Sequence, residues 1–327
     1  MVRNPFPRLA VPVENELNKL ILYDPDNVTN ELIDYVKCIF NEKSQGACAI
    51  VGNYGHGKTH MLLCIKKLAT QHFRNALTIY VPSPGKKFAE IYRHVVSYVI
   101  EHKLAEKVAD FLTDPLKKAL NQIKHDDEHH FYIMQWLMAD RIPSIIRLKL
   151  GLGPNIDDEK AVNFSVEVLS GLCNIGFRPI VILVDELEAI TTIPSLAKLQ
   201  YMNYLRRFID NLPPATILIA ALTPAGWTEI VNIHPALARR LSSRIVYLRN
   251  FKKQEVANLL QAYLEASNCS LKIQEIFDDE VLSLLHEISN GNPGEVLKLT
   301  SILFDEYLKC FCKININHAK KVLSAYA

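Results

Sequence analysis

The octapeptide Gly-Asn-Tyr-Gly-His-Gly-Lys-Thr, residues 52–59, matches the phosphate-binding (Walker A) pattern G-x-x-x-x-G-K-[ST]. It lies between a short apolar run, 47–51, and helix-forming residues that begin at Met61. This is the strand, loop and helix order that such a loop requires. Glycines at 52, 55 and 57 allow the backbone to approach phosphate oxygens closely. The pattern therefore predicts a site for a nucleoside triphosphate with magnesium, rather than a glycine-rich turn that matches by chance.

Two side chains of the loop have specific expected roles. Lys58 is predicted to reach the β- and γ-phosphates and to contribute to catalysis, and the Thr59 hydroxyl is predicted to hold Mg²⁺. The N-terminus of the following helix adds partial positive charge. The predicted nucleotide-binding residues are Gly52, Asn53, Tyr54, Gly55, His56, Gly57, Lys58, Thr59 and His60.

A second candidate element begins about 125 residues later. Ile180-Val181-Ile182-Leu183-Val184 reads as a central parallel strand buried on both faces, and it ends in Asp185 and Glu186. Ligands bind at the carboxyl edge of such sheets. Asp185 is predicted to hold Mg²⁺ and Glu186 to polarise the attacking water, while Glu188 is expected at the surface of the next segment. A solvated acidic turn after a buried strand is the alternative.

Two further segments extend the pattern. A third apolar strand, 215–222, ends at Thr223, and the sequence 235–244 carries several arginines before a final strand at 245–248. Together with the loop and the acidic strand end, they resemble the AAA+ ATPase superfamily. The resemblance implies an α/β fold: a P-loop parallel sheet flanked by helices, with a helical insertion and a C-terminal all-α lid domain. It also implies ATP as the nucleotide and Thr223 as the sensor 1 residue.

The arginine cluster has three open interpretations. The resemblance implies an arginine finger that enters the neighbouring subunit's site, with Arg244 as the first candidate and Arg240 as the second. Four arginines fall between Arg239 and Arg249 without an intervening acid. The same cluster could instead form a nucleic-acid patch or a solvated edge.

The C-terminal segment, 251–327, shows apolar residues at helical spacing and carries 8 Lys/Arg against 10 Asp/Glu. Its Gly291-Asn292-Pro293-Gly294 resembles the sensor 2 region of initiator-like and signalling AAA+ relatives. The relatives commonly have an arginine next, where this chain has Gly294, which puts a sensor 2 role in doubt. Lys298 could replace that arginine, but a solvated lysine is the favoured interpretation.

The segment between the second strand, 78–81, and the acidic strand is longer than one crossover helix. Its helical periodicity predicts an inserted helical subdomain at about 86–157, with a partner-docking or specificity role. The expected division is an AAA+ core at 1–250 and a lid at 251–327. The cluster 125–130, rich in His and Asp, favours a solvated turn over a metal site, because adjacent histidines do not share a helix face.

The long-range pattern narrows the resemblance to the ATP-binding proteins of prokaryotic phage-defence islands of the BREX type. Initiator-like and archaeal AAA+ ATPases are similar in a less specific way. The motifs that carry the resemblance are the loop ending in Lys58-Thr59-His60, Tyr80-Val81-Pro82-Ser83-Pro84-Gly85, a helical insertion ending near 148–153, Val-Asp-Glu-Leu-Glu at 184–188, Thr-Pro-Ala-Gly-Trp at 223–227 and His-Pro-Ala-Leu at 234–237.

Composition limits the classes of function. The 327 residues are 49% hydrophobic and 22% charged, with a formal net charge of +2, which is typical of a globular protein. No apolar run approaches the ~20 residues of a membrane span. Seven cysteines scattered through apolar stretches favour free thiols in a reducing compartment, so a cytoplasmic location is expected.

The favoured function is ATP hydrolysis that drives assembly or remodelling of a DNA-associated complex in prokaryotic genome defence. The alternative is a nucleotide-dependent oligomeric switch or scaffold of the initiator, transposition-helper or signalling type, with little turnover. A metabolic kinase is a weaker third interpretation. The expected partners are further copies of the chain that share active sites, DNA, and other protein subunits of a multi-component system, with no membrane contact.

Overall fold

The structure is a computed structural model that describes residues 4–8, 14–123 and 129–326. Five strands form one sheet in the order β2-β3-β4-β1-β5. The pairs β1–β4, β3–β4 and β2–β3 are all parallel. The predicted parallel α/β sheet is thus confirmed. The strands are β1 (Gln45–Val51), β2 (Leu77–Val81), β3 (Ile180–Val184), β4 (Thr216–Leu222) and β5 (Ile245–Tyr247).

The central strands are apolar, and helices cover both faces of the sheet. Every residue of β3 and β4 is buried, as expected for parallel strands without a solvated face. The helices are α1 (Val28–Glu42), α2 (Lys58–His72), α3 (Ala89–Glu101), α4 (Ala105–Ala109), α5 (Leu116–Gln122), α6 (His130–Leu137), α7 (Ser144–Leu150), α8 (Asp158–Asn174), α9 (Ser195–Asp210), α10 (Pro224–Ile233), α11 (Pro235–Leu241), α12 (Lys253–Ala266), α13 (Ile273–Ile276), α14 (Asp279–Ser289), α15 (Pro293–Cys310) and α16 (Ile316–Ser324), with 3-10 helices at Glu14–Lys19 and Leu187–Thr192.

Six of these helices, α3 to α8, connect β2 with β3. They share one apolar core with the sheet. Trp136 of α6 is fully buried in this core, and its indole N–H donates to the Pro154 carbonyl at 3.2 Å. Most of the predicted metal or solvated-turn cluster, residues 125–128, lies outside the described residues. The apolar side chains of α3 and of its N-cap residue are buried in the same core: Phe88, Ile91, Tyr92, Val95, Val96 and Val99.

The chain divides into two units by its internal contacts. The first unit comprises Met1–Thr29, Gly52–Cys64 and Tyr247–Ala327, and the second comprises Asn30–Val51 and Ile65–Val246. Each unit has its own apolar core. In the first unit, Phe6 packs against Tyr263 and Phe304, with ring centroids 6.0 and 5.3 Å away. An amino-terminal residue therefore completes the core formed by the C-terminal helices.

An ion-pair network stabilises the beginning of α12 in the first unit. Arg249 contacts Asp26 at 2.7 Å and Glu255 at 2.8 Å. Glu255 also accepts the Lys252 backbone N–H at 2.7 Å, which closes the first turn of the helix. The hydrogen bond from Arg249 is the main cause that lowers the pKa of Glu255 to about 2, from an ordinary value of 4.5.

We expect Glu255→Gln to lower the melting temperature at pH 7 by about 1–2 °C, the scale of roughly 1 kcal/mol in a chain of this size. Because the pKa of Glu255 is depressed in the folded state, its contribution is complete above about pH 4.5 and is lost as the pH falls towards 2. The gap between wild type and variant should therefore narrow between pH 6 and pH 3 in thermal melts. Glu287→Gln, at an exposed carboxylate of α14, is the control. A gap that stays constant with pH contradicts the expected role.

Candidate nucleotide-binding site

The loop between β1 and α2 has the backbone that the sequence pattern predicts. Gly55 and Gly57 have φ values of 80° and 85°, in the region that side chains with a Cβ rarely adopt. Helix α2 begins at Lys58, and the Met61 N–H donates to the Gly57 carbonyl at 2.8 Å. The loop therefore passes directly into the first turn of a 15-residue helix.

The Lys58 side chain joins the two ends of the loop. It is largely buried, and its ammonium donates to the Gly52 carbonyl at 2.9 Å and the Asn53 carbonyl at 3.2 Å. The Tyr54 ring, 76% exposed, has its centroid 5.3 Å from the same nitrogen. Carbonyl dipoles and an aromatic face both favour a cation. The charge of Lys58 is consequently kept at the loop and not extended into solvent.

His56 of the loop and His60 of α2 contact backbone carbonyls of other segments of the first unit. His56 Nδ1 lies 3.0 Å from the Leu248 carbonyl, and His60 Nε2 lies 2.9 Å from the Ile21 carbonyl. A ring nitrogen must carry a proton to donate to a carbonyl. These contacts fix the two imidazole rings, and the predicted binding of nucleotide by His56 and His60 stays a prediction.

Asp185, at the end of β3, is buried and held by two donors. The Tyr80 hydroxyl donates to Oδ2 at 3.1 Å, and the Glu186 backbone N–H donates to Oδ1 at 2.9 Å. The Asp185 N–H continues the parallel ladder by donating to the Val81 carbonyl at 2.8 Å. The carboxylate thus has a fixed direction at the carboxyl edge of the sheet. Tyr80 was missed as a functional residue because it occupies an ordinary strand position in the sequence.

Glu186 differs from its neighbour in both exposure and backbone. Its side chain is exposed, and its φ of 50° lies in the left-handed region. This conformation is uncommon for a residue with a Cβ and is concentrated at functional sites. The turn at Glu186 separates the two acids, so that one carboxylate is buried beside Tyr80 and the next is open to solvent.

Thr223 caps the helix that follows β4. Its hydroxyl oxygen accepts the Gly226 N–H at 3.2 Å, and its own backbone N–H donates to the Glu188 carboxylate at 3.3 Å. Glu188, expected at the surface of the next segment, is partly exposed. Glu188 is half-buried because its carboxylate contacts the Thr223 backbone. No sequence signal links residues 35 positions apart in this way.

The strand register brings the candidate strand ends together in the second unit. Val51 of β1 pairs with Leu222 of β4, and Val184 of β3 pairs with Ala220 of β4. Strand β4 therefore lies between β1 and β3, and Thr223 follows it directly. Gly52 follows Val51 in the chain, and Asp185 follows Val184.

Both finger candidates form ion pairs within the second unit. Arg240 Nε lies 2.8 Å from Asp210 Oδ1, and Arg244 Nη2 lies 2.7 Å from Glu31 Oε1. Their side chains are 34% and 43% exposed, and pairs at such sites contribute little stability. Arg249 also has carboxylate partners. Three of the four arginines are thus neutralised locally, which lowers the positive potential that a nucleic-acid patch needs.

The sensor 2 region of the sequence corresponds to the beginning of α15. Lys298 is 55% exposed and lies 3.5 Å from Glu295, which confirms a solvated lysine. Gly294 donates its N–H to the Gly55 carbonyl at 3.0 Å. Asn292 was missed as a functional residue, although it donates to the Tyr54 carbonyl at 2.8 Å.

Comparison with known proteins identifies the family. The family described as BREX system ATP-binding protein BrxC/D matches residues 85–290, more than half of the chain. The chain belongs to this family. The resemblance inferred from the sequence is confirmed, and the matched stretch begins after the phosphate loop. No curated protein matches the chain.

Solved structures share the fold at 12–13% identity. The Aeropyrum pernix ORC2 protein (ADPNP-ADP complexes) has a TM-score of 0.59 at 13% identity, covering 99% of this chain and 72% of that one. The A. pernix ORC1 protein in complex with DNA has a TM-score of 0.54 at 12% identity, covering 94% of this chain and 66% of that one. Domain III of the Thermotoga maritima replication initiation protein DnaA has a TM-score of 0.51 at 12% identity, covering 96% of this chain and 98% of that one. The expected AAA+ fold is confirmed.

The chain therefore spans about two thirds of the ORC1 chain and somewhat more of the ORC2 chain. Among the described residues, no helix combines the length and apolar character that a membrane crossing requires.

We expect Thr223→Val to lower the melting temperature by about 1–2 °C, because it removes the acceptor that caps α10, a loss of about 1 kcal/mol. Thr223→Ser should melt close to wild type, because serine retains the acceptor. Thr228→Val is the control, at an exposed threonine of the same helix whose hydroxyl donates to the Pro224 carbonyl. Equal melting temperatures for the two valine variants would count against the capping role.

Proposed function

We propose that this chain binds ATP with Mg²⁺ through residues 52–60 and hydrolyses it. The observation that carries the proposal is the phosphate loop, with its two left-handed glycines and the buried Lys58 ammonium at its backbone. Inward N–H groups and a fixed lysine are the means by which such loops hold phosphates. Membership of an ATP-binding family supports the identity of the nucleotide.

The proposed magnesium ligands are Thr59 and Asp185. A hydroxyl and a carboxylate are hard oxygen donors of the kind that Mg²⁺ prefers. Asp185 fits this role because its carboxylate is buried and oriented by Tyr80 and the Glu186 N–H. When bound, the ion would neutralise charge on the phosphate oxygens.

Glu186 is the proposed group that orients and deprotonates the attacking water. Its carboxylate is exposed at the end of β3, whereas the Asp185 carboxylate is buried and hydrogen-bonded. Thr223 is the proposed sensor 1 residue. Its hydroxyl oxygen accepts the Gly226 N–H, which leaves the hydroxyl proton to donate to the γ-phosphate or to water.

We further propose that oligomers share the site, with Arg244 or Arg240 supplied by a neighbouring subunit. Within one chain these arginines pair with Asp210 and Glu31. Exposed ion pairs are weak, so replacing these carboxylates by a phosphate of a neighbouring subunit costs little free energy, and this supports the proposal.

A DNA-associated complex with other protein subunits, in phage defence, is the proposed setting. The family description and the DNA complex of the ORC1 neighbour support that proposal. The core at 1–250, the insertion at about 86–157, the lid at 251–327 and a cytoplasmic location belong to the same proposal.

A nucleotide-dependent switch or scaffold is the second candidate function. Gly294 favours it, because the position where relatives commonly carry an arginine has no side chain. Steady-state turnover separates the two: a switch binds ATP and changes assembly state while releasing little phosphate.

We expect Glu186→Gln to bind ATP normally and to hydrolyse it at least about a hundredfold more slowly, the scale of losing a general base. Lys58→Ala should weaken binding itself. Phosphate release and equilibrium titration with a fluorescent ATP analogue measure the two effects, and Glu280→Gln, at an exposed carboxylate of α14, is the control. Full activity in Glu186→Gln would disprove its catalytic assignment.

We expect a mixture of Arg244→Ala and Lys58→Ala proteins to recover ATPase activity, because some interfaces then pair an intact loop with an intact finger. A finger in trans contributes roughly 10³–10⁵ in rate. A mixture of Lys58→Ala and Glu186→Gln should stay inactive, because every active site is then defective in its own chain. The wild-type rate per subunit should also rise with protein concentration.

The Arg240→Ala mixture tests the second candidate in the same way. If neither arginine mixture recovers activity and the wild-type rate is independent of concentration, the shared-site proposal is wrong.

A further inference from the structure

The turn Gly291-Asn292-Pro293-Gly294 is fixed within the first unit. The Phe251 N–H donates to the Gly291 carbonyl at 2.7 Å, and the Phe251 carbonyl lies 3.1 Å from His286 Nε2. Gly291 has a φ of 70°, and a Cβ there would meet the Phe251 oxygen at 2.1 Å. The backbone of the turn is thereby anchored to the helical core on one side.

On its other side the turn contacts the phosphate loop. The Asn292 side-chain amide donates to the Tyr54 carbonyl at 2.8 Å, and the Gly294 backbone N–H donates to the Gly55 carbonyl at 3.0 Å. The two hydrogen bonds, here called the loop clasp, join consecutive carbonyls of the loop to the N-terminal end of α15. All four residues belong to the first unit.

The clasp sets the orientation of two peptide planes. In a trans peptide the C=O and the next N–H point in opposite directions within one plane. Holding the Tyr54 carbonyl therefore directs the Gly55 N–H away from the turn. The Gly55–His56 plane is held at both ends, because the His56 N–H donates to the Asn53 carbonyl at 3.2 Å. Backbone N–H direction is the property by which a phosphate loop binds its ligand.

Close packing at the clasp accounts for two glycines. A Cβ on Gly55 would lie 2.3 Å from Asn292 Oδ1, at a position where the pattern G-x-x-x-x-G-K-[ST] permits any residue. A Cβ on Gly294 would lie 3.1 Å from Gly55 Cα. A side chain at 294 would thus press on the loop backbone. The glycine at this position therefore permits the close contact with the loop, in addition to replacing the arginine that relatives commonly have.

We propose that Asn292 and Gly294 are positioning residues that hold the phosphate loop in its nucleotide-binding geometry through the loop clasp. The inference rests on the proposed function in taking this loop as the ATP site. Because coupling between two contacts is reciprocal, ATP at the loop also changes the protection of the first turn of α15 against hydrogen exchange.

Substitution of Asn292 must separate the clasp from helix capping, since its Oδ1 also accepts the N–H groups of Gly294 and Glu295 at 3.1 and 3.2 Å. Both Asn292→Asp and Asn292→Ser keep a capping acceptor and lose the amide that donates to Tyr54, since aspartate has no donor and the serine hydroxyl is one bond shorter. Asn315→Asp is the matched control, because Asn315 caps α16 through the His318 N–H at 3.0 Å.

The measurements are the dissociation constant for a fluorescent ATP analogue and the melting temperature. Both Asn292 variants should bind about three- to tenfold more weakly, the scale of one hydrogen bond, while Asn315→Asp binds as wild type. The melting temperatures of Asn292→Asp and Asn315→Asp should differ little. Weaker binding by the aspartate variant alone points to charge repulsion with phosphate and overturns the proposal.

Gly294→Arg tests the same contact from the glycine side. If the clasp matters, an arginine cannot restore a sensor 2 function, and both ATP affinity and hydrolysis should fall. Tighter binding or faster hydrolysis in Gly294→Arg would overturn the proposal.

Hydrogen exchange without nucleotide keeps this proposal separate from the proposed function. Peptides covering 52–57 should exchange faster in Asn292→Ser than in wild type or Asn315→Asp, and unchanged exchange overturns the clasp. Wild-type ATP binding by Lys58→Ala would instead refute the loop as the ATP site, and the exchange result would still decide whether the clasp holds the loop.

Discussion

The parallel pairing of β1, β4 and β3 places three strand ends in one row, and the candidate chemistry depends on that row. Val51 stands opposite Leu222, and Val184 lies opposite Ala220, two residues before the end of β4. A polar or glycine residue follows each end: Gly52, Thr223 and Asp185. Apart from Gln45 and Thr216 at their amino-terminal ends and the thiol of Cys48, these three strands lack polar side chains. The polar residues at their carboxyl edge therefore lie where open α/β sheets bind ligands.

Polar groups at this edge are oriented by hydrogen bonds. Asp185 is oriented by a tyrosine hydroxyl and a backbone N–H, and Thr223 is placed by a helix cap and by Glu188. A buried carboxylate is expensive unless its oxygens are hydrogen-bonded. The Tyr80 hydrogen bond therefore offsets the cost of burying the Asp185 carboxylate and also orients it. The neighbouring Glu186 side chain is exposed and can rotate, as a proton acceptor must.

The sequence predicted those parts of the site that are encoded locally. The loop at 52–59, the acidic strand end and the strand end at Thr223 each occupy a few consecutive residues, and the structure has a loop and two strand ends at these positions. The contacts of Tyr80, Glu188 and Asn292 join residues between 35 and 238 positions apart. Such pairs have no periodicity and no spacing rule. One local hint existed, since a glycine at 55 is not required by the loop pattern, and the structure explains it by its φ of 80° and by the nearby Asn292.

The arginine cluster shows how a charge pattern can mislead when it is considered without its partners. The segment 239–249 has four arginines and no acidic residue. Nevertheless, Arg240, Arg244 and Arg249 each contact a carboxylate from a distant part of the sequence. Such a surface has a weaker positive field than the sequence suggests, which disfavours general attraction to nucleic acid at this point. An arginine finger needs no such field, because it acts on one phosphate at contact distance. Since a half-exposed pair contributes roughly 0–1 kcal/mol, exchanging Glu31 or Asp210 for a more highly charged phosphate in a neighbouring subunit costs little. The paired state of these arginines therefore argues against the nucleic-acid interpretation more strongly than against the finger.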